Sequence, residues 1–181
     1  MALETPEYEL ISKHDGFEIR RYSEMIIATT SVKADYKSST SSGFRRIANY
    51  IFGDNDKAMK IAMTAPVISD CPYEGLKAYN ISFVMPKEHA MIDLPKANTS
   101  HVSIKKEALG EVAVLAFGGW ATESRSMSYQ EKLAMLLQQN NIGTQGGFMV
   151  AQFNSPYALP MFRKNELMVR ILSFPDKESR L

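Results

Sequence analysis

The sequence predicts an α+β fold in which one β-β-α-β-β unit is used twice. Three observations predict it. Alternating and β-branched stretches come in pairs. A stretch of helical period follows each pair, and a second strand pair follows the helix. The same order then recurs: Ile104-Lys105-Lys106 stands 85 positions after Ile19-Arg20-Arg21, and Leu133 stands 86 positions after Ile47. Self-similarity of this kind marks an internal duplication. One helix cannot cover both faces of the sheet that a single half would make. The halves, about 8–86 and 102–175, are therefore expected to share a sheet within one domain spanning 1–181.

Each element follows from its residues. In "GFEIRRYSEMIIATTSV", Phe17 and Ile19 alternate with Glu18 and Arg20, and Ile26-Ile27 starts a β-branched run, so two strands break near Tyr22-Ser23-Glu24. Residues 33–42, "KADYKSSTSS", read as a polar connection offering N-caps. A helix is expected at 43–52: Phe44, Ile47, Ala48 and Ile51 fall at i, i+3, i+4 and i+7, and Gly53 supplies a stop. "AMKIAMTAPVI" and "AYNISFVMP" read as the next two strands, with Ile61, Met63 and Ala65 pointing one way and Lys60, Ala62 and Thr64 the other, Ile61 and Met63 expected to be buried under a helix, and Pro66 limiting the pairing. The second half repeats this with a strand pair in 102–119 and a helix at 128–140 carrying Leu133, Leu136 and Leu137. A strand through "GGFMVAQFNSPY" follows, where Ser155-Pro156 answers Ala65-Pro66, and a last strand runs from Asn165 to Phe174.

Composition narrows the function classes. The chain has 181 residues, 45% hydrophobic and 23% charged, with a net charge of +1. No global field attracts nucleic acid or an anionic membrane. Arg20-Arg21, Arg45-Arg46 and Lys105-Lys106 are isolated pairs rather than a basic stripe. A single cysteine, Cys71, fits a reducing compartment. The first residues, "MALETPEYELIS", carry Glu4 and Glu7 and have no signal-peptide pattern, and no apolar run reaches membrane-spanning length. A cytoplasmic protein is expected. Nucleophile elbows, Walker loops, dinucleotide fingerprints and Cys-x-x-Cys pairs are all missing from the sequence, so an enzyme is not the expectation. "FGGWA" follows a strand without GxGxxG spacing and marks a bend beside Trp120.

The stretch "GFRRIANYIFGDNDKAMKIAMTAPV", residues 43–67, carries a family resemblance. It has Tyr50 and Gly53 as Tyr-x-x-Gly, an Asn55-Asp56-Lys57 turn, and Met63-Thr64-Ala65-Pro66-Val67. "YELISKHDGFEIRRY", "FGGWATE" and "FNSPYALPMFRKNELMV" add an opening strand pair, a central Phe-x-Gly-aromatic segment, and a Tyr-x-x-Pro loop leading to Arg-x-Asn-Glu. In this order the segments resemble the SOUL/heme-binding protein family. The resemblance implies a distorted antiparallel β-barrel flanked by two helices, similar to bacterial effector-binding domains. It also implies reversible, non-covalent binding of heme or another tetrapyrrole in a shallow hydrophobic cleft.

Carried over residue by residue, the resemblance implies a cleft formed by Phe44, Arg45, Ala48 and Asn49 on the first helix. Leu159, Met161, Phe162 and Lys164 would form the other side, before the last strand. Departures from the family pattern fall in the same places. Some relatives hold histidine where this chain has Arg21, which stays protonated and cannot ligate iron. Lysines of relatives are replaced by Asn49 and Leu159, leaving Arg45, Arg46, Arg163 and Lys164 as nearby cations for propionates. His14, His89 and His101 have no partner at metal-ligand spacing, so no metal site is expected. Cys71-Pro72 resembles a thiolate heme-ligand pair, and Met59, Met63, Met161 and Met168 could line an adaptable pocket. Two alternatives stay open: a sensor for other bulky apolar ligands, and an enzyme acting on tetrapyrrole, such as one removing iron. A monomer is favoured.

Overall fold

The computed structural model describes residues 2–155 and 157–172. Nine strands form one sheet: β1 (Tyr8–His14), β2 (Phe17–Tyr22), β3 (Met25–Val32), β4 (Val67–Asp70), β5 (Tyr79–Val84), β6 (Ser103–Glu107), β7 (Gly110–Gly118), β8 (Thr144–Gln152) and β9 (Lys164–Ile171). Helices α1 (Tyr36–Ile51) and α2 (Glu123–Gln139) complete the fold. The strand order is β1-β2-β7-β9-β8-β4-β5-β3-β6, every neighbouring pair antiparallel. Exchange β2 with β6, β3 with β7, β4 with β8 and β5 with β9, and the order from β2 to β6 reads the same backwards. The β-β-α-β-β unit is thus present twice, with β1 added at one edge. The barrel is not closed: β1 and β6 end the sheet, and no described pairing joins them.

Both helices cover the same face. Phe83, Val67, Gln152, Asn165 and Phe117 stand in one row across five paired strands and so point one way. Ile47 and Ile51 of α1 pack there on Ala28, Ile81 and Phe83, while Leu133 and Leu137 of α2 pack on Ala113, Leu115 and Leu167. On the opposite face Tyr22, Val112, Val114, Ala151 and Met168 form a third, smaller cluster, which no helix covers.

Several expected boundaries move. The polar stretch 33–42 is largely helical: α1 starts at Tyr36, with Asp35 as N-cap accepting from the Ser38 N–H at 3.0 Å. Its serines stay helical because their hydroxyls find carbonyls. Ser39 Oγ donates to Ala34 O at 3.1 Å, and Thr40 Oγ1 donates to Tyr36 O at 3.0 Å. Helix α2 likewise starts at Glu123 rather than 128, capped by Thr122. The last strand ends at Ile171, and Pro156 and Phe174 lie outside the described residues.

The strand expected through "AMKIAMTAPVI" is irregular up to Pro66, and only Val67–Asp70 pairs as β4. Buried Asn55 holds the turn before it. Its side-chain amide donates to Tyr50 O and Met59 O, both at 2.8 Å, and its Oδ1 accepts from Met59 N at 2.9 Å. The chain then works as a strap. Ile61 N donates to Ile51 O at 2.8 Å, tying it to the end of α1, and Ala65 N donates to Glu4 O at 2.8 Å. Ile61 is buried as expected and Met63 only half-buried. Thr64, expected on the side opposite Ile61, is buried as well, and its hydroxyl donates to Val84 O at 2.6 Å.

Gly43 also has a different role from helix start. A Cβ there would lie 2.7 Å from Ile81 Cγ1 and 2.8 Å from its Cβ, so the missing side chain lets α1 rest on β5. Gly43→Ala is expected to destabilise the fold by about 1–3 kcal/mol through overpacking. Urea unfolding measures this, and an unchanged midpoint would mean that α1 can lift off β5 freely.

Candidate functional site

Of the residues expected to form a cleft, Phe44 packs on the helix-covered face, whereas Lys164 points to the uncovered face, beside Glu166. Phe44 is half-buried, its ring 5.3 Å from that of Phe83 in a tilted contact. Ala48 is buried against the same core, while Arg45 and Asn49 are exposed. Across the sheet, Phe83 pairs with Val67 and Val67 with Gln152, after which the chain leaves β8 for the 153–163 loop. The start of that loop is thus two strand spacings, about 10 Å, from the row that Phe44 packs on. In the loop, Leu159, Met161 and Phe162 are 58%, 79% and 68% exposed, and none joins the three apolar clusters. Three large apolar side chains so close in sequence on an accessible loop are unusual unless something covers them.

The nearby cations divide. Arg163 is buried, with its guanidinium 3.7 Å from the centre of the Trp120 ring and its Nε donating to Ala158 O at 3.0 Å; burial holds its pKa below the usual arginine value. Arg46 donates to Ser31 O at 3.1 Å and to Thr30 Oγ1 at 3.3 Å, which ties it to β3. Arg45 and Lys164 remain exposed, the Lys164 Nζ standing 4.6 Å over the Phe153 ring.

Axial-ligand candidates are placed as follows. Arg21 bonds Glu111 at 2.6 Å and Glu9 at 3.1 Å; the Glu111 hydrogen bond leads in raising its pKa, so it stays charged. Cys71 is buried in the α2 core and points its sulfur at Ser126 O. Burial, with Asp70 adding to it, pushes the thiol up to about 12, so it is a neutral thiol and not a thiolate ligand at pH 7. His14 stacks on Phe17 at 4.5 Å, His89 stands 3.5 Å from Glu88, and His101 is exposed. Among the described residues no three of His, Cys, Asp or Glu gather where a metal could be held.

The motif residues of the last strand have separable roles. Arg163 covers Trp120, and Asn165 donates to Gly119 O at 2.8 Å, fixing the bend that leads to α2. Glu166 is fully buried on the uncovered face, both of its oxygens 3.1 Å from Arg20 Nη1. Burial opposes the charge on Arg20, but Tyr22, Glu166 and Glu18 together outweigh it and raise the arginine pKa. Sequence reading missed this pair, because 146 positions separate its members and a charge in an alternating strand looks solvent-facing.

Two hollows lie beside the N-terminal residues. One of about 210 Å³ is bounded by Glu4, Met25, Thr64, Met85 and Lys87. A second, of about 160 Å³, lies over the Arg20–Glu166 pair. Phe44, Ala48, Leu159, Met161 and Phe162 line neither of these two hollows, and Lys164 alone of the expected residues borders the second.

Comparison with known proteins adds the following. The sequence profile described as SOUL heme-binding protein matches residues 3–170. Heme-binding protein 2 of Homo sapiens is 31% identical over 98% of this chain and 91% of its own. Among solved structures, the EcmrR C-terminal domain has a TM-score of 0.64 at 10% identity, covering 92% of this chain and 99% of that one. A hydrolase from Listeria innocua has a TM-score of 0.60 at 13% identity, covering 86% and 91%. At such low identity these two share the architecture, and nothing further follows from them.

Proposed function

Because the chain belongs to the SOUL heme-binding protein family, we propose that it holds heme or a related porphyrin non-covalently in a shallow apolar cleft between α1 and the 159–162 loop. The observation that carries this reading is the run of exposed apolar side chains at Leu159, Met161 and Phe162, in a loop whose start lies about two strand spacings from the row under Phe44. These residues fit a porphyrin. The rings and the methionine supply flat apolar contact, Ala48 leaves room beside the helix, and exposed Arg45 offers a cation to a propionate. Axial ligation is not part of the reading, since Arg21 is charged and Cys71 is a buried thiol.

The role is binding rather than catalysis, in a cytoplasmic monomer of one domain, 1–181, with repeats at about 8–86 and 102–175. The free, buried Cys71 supports a reducing compartment, and the reversible strand order supports the repeat. No helix among the described residues is long and apolar enough to cross a membrane.

Titration with hemin and with metal-free protoporphyrin, followed in the visible range, tests the proposal. Both are expected to bind near the micromolar range, about −8 kcal/mol, and within about tenfold of each other. Binding of neither would favour another bulky apolar ligand. Release of iron with turnover would make the protein an enzyme. A six-coordinate low-spin ferric spectrum, lost on replacing one of His14, His89, His101, Cys71 or Met161, would restore axial ligation.

A further inference from the structure

We propose that the hollow over the Arg20–Glu166 pair is a second, separate binding site, shaped for a small aryl carboxylate. It lies on the sheet face that no helix covers, with Tyr8, Tyr22 and Phe153 as aromatic walls and Ile68, Leu109 and Met168 as apolar ones. Its volume of about 160 Å³ matches a single ring, since a cavity of about 150 Å³ elsewhere holds benzene. It is too small for a porphyrin.

The polar groups decide the sign of the ligand. Arg20 is 7% exposed; its Nη1 serves Glu166 and Tyr22, and its Nε serves Glu18. Among the described residues its Nη2 has no acceptor. Tyr22 Oη accepts from Arg20 at 3.1 Å, which leaves the phenol hydrogen to donate. Burial, the leading influence, raises the Tyr22 pKa, so that hydrogen stays in place at neutral pH. Lys164 Nζ adds further donors at the rim, 3.6 Å from Glu166. The acceptors, by contrast, are engaged: both oxygens of Glu166 already face Arg20. The unused hydrogen-bonding capacity is therefore donors, set among aromatic walls, and its complement is a ring bearing a carboxylate.

Methionine-methyl NMR of the intact protein tests this with benzoate as the probe. Benzoate at millimolar concentration is expected to shift the Met168 methyl saturably while Met135, exposed on α2, stays fixed. Benzyl alcohol, which lacks the charge, should bind at least about tenfold more weakly. Tyr8→Ala removes a half-exposed wall and Lys164→Gln a rim donor, so both should stay folded and each should weaken benzoate by about tenfold. Hemin titration of Tyr8→Ala should be unchanged, because Tyr8 lies outside the α1 cleft. No saturable shift of Met168, or equal affinity for benzyl alcohol, would overturn the assignment. Tighter binding of benzylammonium would overturn it in favour of a cation held by Glu166.

Discussion

Glu166→Ala is expected to lower stability by about 3–5 kcal/mol in urea unfolding at pH 7, because it leaves Arg20 charged and buried without its main partner. The neighbourhood sets where in that range the loss falls. Arg20 keeps Glu18 at 2.9 Å and Tyr22 at 3.1 Å, which favours the lower part. Its guanidinium stays boxed in by the Tyr8 ring, 4.3 Å away, and by the apolar cluster around Met168, which hinders its escape to water. The double replacement Arg20→Met with Glu166→Leu should recover most of the loss, since removing both charges also removes the cost of burying them. A single-variant loss under about 1 kcal/mol would mean that the arginine swings out and that the pair contributes little. The double variant separates that outcome from simple cavity formation, because it refills the space.

This pair also marks the limit of what the sequence discloses. Strand β2 is legible because Phe17 and Ile19 alternate with charged residues, β3 because of its β-branched run, and β6 and β7 because Ile104-Lys105-Lys106 and Val112-Ala113-Val114 repeat the pattern of β2 and β3. The first turns of α1 were not legible. Ser and Thr favour turns unless their hydroxyls find partners, and those of Ser39 are the carbonyls of Val32 and Ala34, where the chain enters the helix. The "KIAMTAPV" strap was misread for a related reason. Its alternation holds at Ile61 and Ala62 and then fails at Thr64, where one hydrogen bond to Val84 O turns a polar side chain inward. Arg20 reads as a charged member alternating with Phe17 and Ile19, and Glu166 as part of a motif segment with no partner in view. Both point away from the helices, and a sheet with helices on one face has a second face that can bury charge as well. For the candidate site, the position of Phe44 on an apolar helix face was readable from period, but the Leu159–Phe162 loop was named through family resemblance alone. No periodicity predicts which loop remains exposed.

Phe162→Asp and Phe44→Asp are expected to abolish porphyrin binding, by more than about 100-fold, or about 2.7 kcal/mol. Burying one aromatic or aliphatic side chain against a ligand is worth about 1.5–3 kcal/mol, and a carboxylate in its place must also be desolvated beside an apolar macrocycle. With total binding near −8 kcal/mol, one such change removes enough to take hemin from micromolar to beyond 100 µM. The two variants answer different doubts. Phe44 touches Phe83 in the core, so its replacement carries a folding cost that must be checked by melting. Phe162 is 68% exposed and joins no apolar cluster, so Phe162→Asp should melt within about 0.5 kcal/mol of the parent while losing hemin and protoporphyrin alike. Loss in both places the porphyrin between α1 and the loop. Loss in Phe44→Asp with normal binding in Phe162→Asp would confine the ligand to the helix side. A folded Phe44→Asp that still binds hemin normally would remove the cleft from α1 altogether.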